Sequence, residues 1–232
     1  GVIYRIWSTG PAGGHLAPTT RVKFYFDGEA TPRLDLAACE LFGDRGAAWP
    51  FVPPLSRTFE SGAGAMEGPA SLCYVPVPFA KSVKITTNAL AFYHVDYIKY
   101  PPGTPVESYS PALAEKNRPV LEKAAAMILA RGQLPCPPAE PMQAVERSVV
   151  VEAGKTAVVF EAEGPGVVRA LRMQLHRPTH RNLRGLVLQV QYEGSGRNSI
   201  DAPVGDFFGA MADNLQYRSL PMGSTDAGWY CH

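Results

Sequence analysis

The sequence predicts an all-β protein: two tandem β-sandwich domains, the second incomplete, joined by a short helix and a Pro-rich linker. Three observations carry this. Apolar alternation recurs in short runs, each bounded by Gly, Pro, Asn or Asp. A single segment has helical spacing instead. And one stretch is written twice: "YFDGEATPRLDLAACELFG", residues 25–43, aligns without a gap on "QYEGSGRNSIDAPVGDFFG", residues 191–209, an offset of 166 positions.

Taken along the chain, "GVIYRIW" opens as an apolar strand-like run. Val22, Phe24 and Phe26 then alternate with Lys23 and Tyr25 and meet Asp27-Gly28, a half-buried strand running into a turn. "RLDLAACELFG" fits a strand or a short helical turn. "PFVPPL" and "SGAGAMEGPA" read as loops. "LCYVPVPF" and "SVKITTNA" read as strands, with Pro76 and Pro78 placing the first at an edge or a bulge. "LAFYHVDYIKY", residues 90–100, is a further strand. In "PALAEKNRPVLEKAAAMILARG", Val120, Leu121, Ala124, Ile128 and Leu129 recur at helical spacing, which predicts a helix over about 119–131 stopped by Gly132. "QLPCPPAEPMQ" follows as an extended linker. Strands are expected to resume in "RSVVVEAGKTAVVFEAEGPG", "VVRALRMQLH" and "LRGLVLQVQYEG".

The repeat sets the organisation. Phe26 answers Tyr192, Asp27-Gly28 answers Glu193-Gly194, and Leu34-Asp35 answers Ile200-Asp201. Glu40, Phe42 and Gly43 answer Asp206, Phe208 and Gly209, and "GVI" at residues 1–3 answers "GVV" at 166–168. The period is far longer than the ~20–50 residues of a solenoid, so the repeating object is a domain. The expected boundaries are 1–110 for the first β-sandwich, 111–145 for helix and linker, and 146–232 for the second. Only 23 residues follow Gly209. The strands that would answer "YVPVPFAKSVKI" and "FYHVDY" are missing, and Gly1 enters an apolar run without a Met. The natural protein is therefore expected to be longer.

Of the 232 residues, 46% are hydrophobic and 19% charged, with a net charge of +1. That gives no electrostatic case for nucleic acid or an anionic membrane. No apolar run of about 18 residues exists to span a bilayer. Cys39, Cys73, Cys136 and Cys231 form no CxxC pair and no zinc-spaced cluster. They read as free or buried thiols, with a Cys73–Cys231 disulfide as the alternative. "GPAGGH", residues 10–15, lacks the Lys and helix of a phosphate loop. No cofactor and no metal is expected.

"GVIYRIWS", "YFDGEATPRLDL", "YVPVPFAKSVKIT" and "YHVDYIKYPPGTPVESYS" resemble the former domain-of-unknown-function family 2961, now glycoside hydrolase family 172. So do "GPGVVRALRMQL", "APVGDFFG" and "YRSLPMGSTDAGWYCH" in the second half. The resemblance implies tandem jelly rolls in a bacterial exo-acting enzyme on terminal furanosides, of the α-D-fructofuranoside or D-arabinofuranoside type. It implies homotrimers or multiples of trimers, with active sites near protomer contacts. It also implies two catalytic glutamates, one in a Gly-Thr-Glu-Asp-Tyr-like segment. This sequence has no such segment, so no catalytic residue is assigned, and the chain by itself is expected to be inactive. The rival reading is a non-catalytic carbohydrate-binding or structural jelly roll. Whether the protein is cytoplasmic, periplasmic or secreted stays open.

Candidate sugar contacts are Asp206, Phe207, Tyr217, Arg218, Asp226 and Trp229. Asp206 beside two Phe residues either grips hydroxyls or caps a turn, and Glu40 at the matching place favours a shared fold-building role. Tyr217, Arg218 and Asp226 fall on the stretch after "GDFFG", where a sandwich carries function; Arg218 pairs equally well with a surface acid. Trp229 stacks on a sugar or packs; Trp7 reads as core. His94 and Asp96 share a strand face and read as a hydrogen-bonded pair. His176 and His180 have metal spacing on a helix, but Pro178 predicts a loop there.

Overall fold

The computed structural model describes residues 1–10, 16–59, 70–90, 92–134, 142–211 and 213–232. The chain forms two compact units, Gly1–Leu129 and Ala130–His232.

The first unit is a β-sandwich. Its elements are β1 (Val2–Thr9), β2 (Arg21–Phe26), β3 (Leu34–Ala37), α1 (Ala38–Leu41), β4 (Ser56–Phe59), β5 (Ala70–Cys73), β6 (Val77–Pro78), β7 (Val83–Thr87), β8 (Phe92–Ile98), α2 (Pro111–Lys116) and α3 (Arg118–Leu129). One sheet is built on β1, which pairs antiparallel with β5 and β6 along one edge and with β8 along the other, while β4 extends it beyond β5. The second sheet runs β3-β2-β7. The core lies between them. β2 alternates strictly, so Val22, Phe24 and Phe26 face inward with Ile3 and Ile6 of β1 opposite. Each such large apolar side chain contributes about 1.5–3 kcal/mol on burial.

β1 breaks its own alternation. A register irregularity between Ile3 and Arg5 lets both Ile3 and Ile6 point inward. From there on the parity is reversed, and Arg5 and Trp7 point outward. Trp7, read from the sequence as core, therefore lies half-buried on the outer face.

The stretch that fitted strand or helix is both: β3 ends at Ala37 and α1 begins at Ala38. The expected helix at 119–131 is α3, Arg118–Leu129, preceded by α2. Ser110 caps α2 by accepting the Leu113 N–H at 3.0 Å, with Pro111 in the first turn. α3 is part of the first unit's core, through Leu121 with Ala124, Ala125 and Ile128 packed beside it. Val120 and Leu129, placed on the apolar face by their spacing, are 66% and 65% exposed.

The second unit holds β9 (Leu171–Met173), α4 (His180–Gly185), β10 (Val187–Val190), β11 (Ile200–Pro203), α5 (Val204–Phe207), β12 (Tyr217–Arg218), β13 (Met222–Thr225) and β14 (Gly228–Cys231). β12-β13-β14-β9 form one sheet and β10-β11 a ribbon. Leu183, Leu188, Val204, Phe208, Ala210 and Trp229 make the core. The loop expected around Pro178 ends where α4 begins at His180, capped by Thr179 accepting the Asn182 N–H.

The strands expected in 147–166 do not form. Residues 142–170 carry no strand, and Val150 is 92% exposed. Alternation selects a face but supplies no ladder, and no described strand pairs with this segment.

The duplication holds at atomic register. β3 and α1 begin and end 166 positions before β11 and α5, and β2 begins 166 positions before β10 but runs two residues further. Arg21 faces Ala37 as Val187 faces Pro203, and Phe24 faces Leu34 as Val190 faces Ile200. Asp27 and Glu193 both adopt positive φ, at 55° and 51°. The Phe42 N–H reaches Ala38 O at 3.0 Å, and the Phe208 N–H reaches Val204 O at 3.1 Å. The other sheet follows suit: β4 pairs β5 and β5 pairs β1, as β13 pairs β14 and β14 pairs β9. Cys73 and Cys231 stand at equivalent points of these ladders, opposite Ile6 and Leu171. Both are free thiols, and burial pushes that of Cys73 up to about 11.

Candidate functional site

The duplicated turn supplies its own control, because one backbone carries two sets of side chains. In the first unit Glu40, three residues into α1, folds back and its Oε2 accepts the Ala37 N–H at 2.7 Å. This closes the half of a capping box that the acid supplies. The next residue, Leu41, is fully buried. Glu40 thus caps its own helix, and the same Oε2 lies 4.0 Å from Nη1 of Arg21.

Asp206 does different work. The residue answering Ala37 is Pro203, which has no N–H to donate. The acid side chain is also one methylene shorter. Asp206 instead accepts from Nη1 of Arg184 through both carboxylate oxygens. Arg184 comes from α4, which is held down by fully buried Leu183. The pair faces solvent, with side chains 49% and 39% exposed. Phe207, answering Leu41, is half-buried and meets Phe208 edge-on with ring centroids 4.9 Å apart. The turn-capping expected of Asp206 is replaced by a bond to Arg184 that ties α5 to α4.

The remaining candidates divide. The Tyr217 hydroxyl donates to Phe208 O at 2.6 Å, and burial raises its pKa. This bond steadies the turn under Asp206. Trp229 is 4% exposed, stacks on Phe208 at 5.9 Å and donates its Nε1–H to Asn214 Oδ1 at 3.1 Å. The structure places its indole in the core, where it offers no ring face to a sugar. Arg218 on β12 and Asp226 in the β13–β14 turn are exposed, and neither hydrogen-bonds or ion-pairs with Asp206 among the described residues. Asp206, Phe207 and Tyr217 meet at one turn, and the sequence reading missed Arg184 beside them. The signal for it was the fall from Ala37 to Pro203, which leaves an acid without a cap partner.

Elsewhere, His94 and Asp96 make separate contacts: His94 lies 5.2 Å from the Trp7 ring, and Asp96 accepts from Arg5 at 2.6 Å. His180 sits 4.0 Å from Asp213. No group of three or more His, Cys, Asp or Glu able to hold a metal ion occurs among the described residues. Residues 11–15 of the Gly-rich stretch, most of the Pro-rich linker and Cys136 lie outside the described residues.

Two family models match the chain. The one described as "GH172 first beta-sandwich domain" covers residues 1–117, and the one described as "GH172 domain-like" covers residues 141–232. No curated protein and no solved structure matches it.

Proposed function

The chain belongs to glycoside hydrolase family 172, and from that premise we propose that it serves the hydrolysis of terminal furanosides, of the α-D-fructofuranoside or D-arabinofuranoside type, in a bacterium. Its part is to bind the sugar. The observation that carries this is the Arg184–Asp206 pair, a solvent-facing guanidinium and carboxylate at a turn whose twin keeps its acid as a helix cap. A carboxylate accepts and a guanidinium donates, so together they bracket vicinal sugar hydroxyls with charge-assisted bonds. Phe207 adds an apolar flank for the ring's C–H face. Arg218 and Asp226 are the further exposed groups of the same unit.

Hydrolysis needs two carboxyl groups, about 5–5.5 Å apart in a retaining enzyme. The family's Gly-Thr-Glu-Asp-Tyr-like segment is absent from this sequence, and Asp206 is already engaged by Arg184. The catalytic pair is proposed to be those glutamates, with this chain supplying scaffold and sugar contacts within a homotrimer or a multiple of it.

The test is a titration of the 232-residue chain with an aryl α-D-fructofuranoside and an aryl D-arabinofuranoside. Arg184→Ala and Asp206→Asn are each expected to weaken the better ligand about tenfold, the loss of one charge-assisted bond, and no aryl alcohol should be released. Undiminished affinity in both variants would overturn the assignment of the pair; turnover by the chain would overturn the division of labour.

A further inference from the structure

The outer face of the first unit's larger sheet mixes aromatic, charged and imidazole side chains. Cross-strand register orders it into rows. Arg57, Leu72, Trp7 and His94 stand in line across β4, β5, β1 and β8. In the neighbouring row Arg5 faces Asp96, the two joined at 2.6 Å with side chains 31% and 36% exposed. Tyr74, 41% exposed, follows directly on β5. The Trp7 indole leans against His94 at 5.2 Å and 41°. An indole, a paired guanidinium and carboxylate, and an imidazole thus share one patch.

The second unit shows what the same position looks like when it is used for packing. Arg172 of β9 occupies the place of Trp7, Tyr230 that of Leu72, and Gly223 that of Arg57. There the chain's own Gly132 covers the row. Arg172 donates to Gly132 O at 3.1 Å, and a Cβ on Gly132 would lie 3.5 Å from the Tyr230 ring, which is 4% exposed. No described segment covers Trp7 in this way.

We propose that this face is a second glycan-contacting surface, taking a furanose unit of an oligosaccharide with Trp7 against the ring and Arg5 and Asp96 on its hydroxyls. The ligand class rests on the hydrolase reading above. The chemistry favours a neutral polyol on two counts. The Arg5–Asp96 charges beside the indole are matched, which leaves Arg57, laid over the Phe59 ring at the end of the row, as the remaining cation there. And the core of a protein–protein interface is depleted of charged residues, whereas here an ion pair adjoins the indole.

The experiment titrates the 232-residue chain with an arabinofuranosyl oligosaccharide and with a pyranosyl one. Calorimetry gives affinity, and the Trp7 indole N–H is followed by NMR. Expected are a shift of that resonance on adding the furanosyl ligand, a loss of about tenfold or more in affinity for Trp7→Ala, and retention within about threefold for Trp7→Phe, which keeps a stacking ring. Arg5→Ala should fall between. Furanosyl binding that leaves the Trp7 resonance still and survives Trp7→Ala overturns this surface while leaving the Arg184–Asp206 reading intact. A Trp7-dependent response to the pyranosyl ligand alone upholds the surface and removes the furanoside reading. Binding of neither sugar, or self-association abolished by Trp7→Ala, overturns the proposal.

Discussion

Glu40 bonds back to its own helix and Asp206 reaches across to Arg184 of another, although the backbones beneath them coincide in strand register, turn and helix. Duplication has kept what the backbone needs and changed the side chains. Kept are a residue at positive φ before Gly28 and Gly194, the left-handed Gly43 and Gly209, and the fully buried Phe42 and Phe208. Changed is one backbone donor, lost at Pro203, and with it the duty of the acid that used it.

The widest gap between the copies should come from the left-handed glycines. A Cβ at Gly43 would lie 2.2 Å from the Ser56 carbonyl oxygen, which is fixed in a ladder, whereas at Gly209 it would lie 2.7 Å from the Tyr217 hydroxyl. Gly43→Ala is expected to cost about 3 kcal/mol, from the left-handed backbone plus an unyielding clash. Gly209→Ala is expected to cost about 2 kcal/mol, because Tyr217 can swing away at the loss of one hydrogen bond. Urea unfolding with hydrogen exchange read separately in each unit decides; equal costs would show that the two turns are more alike than their contacts.

Next comes the acid itself. Glu40→Ala should destabilise the first unit by about 1 kcal/mol, as lost caps do. Asp206→Ala should cost the second less than about 0.5 kcal/mol, as exposed ion pairs do. The double change Pro203→Ala with Asp206→Glu restores donor and reach, and should regain a cap while weakening sugar binding. If it stabilises nothing, the proline was not what separated the copies.

The smallest effect is set by pH. Burial pushes the Asp27 carboxyl up, but the Ser108 hydroxyl and the Lys81 and Ser82 N–H groups donate to it and leave it below its ordinary value. A depressed carboxylate stabilises the fold above its unfolded pKa of about 3.9, and that contribution is lost as pH falls through the lower folded value. The first unit should therefore weaken below about pH 4, by under about 1 kcal/mol given the exposure of the group. Asp27→Asn should flatten that limb of a stability-against-pH curve; an unchanged limb would assign it to other carboxylates.

What the sequence made legible was local. Asp27-Gly28 and Glu193-Gly194 announce their turns because positive φ restricts the residue types, and the gapless repeat follows from fixed spacing between such points. What it hid was relational. Val149, Val150 and Val151 are as β-branched as any strand, yet nothing described pairs with them. The irregularity at Tyr4 reversed the faces of β1 and carried Trp7 outside. Arg184 and Asp206 are joined by a tertiary contact that neither local pattern contains.

The hairpin β13–β14 closes over Asp226 and Ala227, while its counterpart β4–β5 spends residues 60–69 on the same journey. Both arrive at an antiparallel ladder with equivalent partners. Two residues therefore suffice to join such a pair of strands, and the pairing itself sets no length for what connects them.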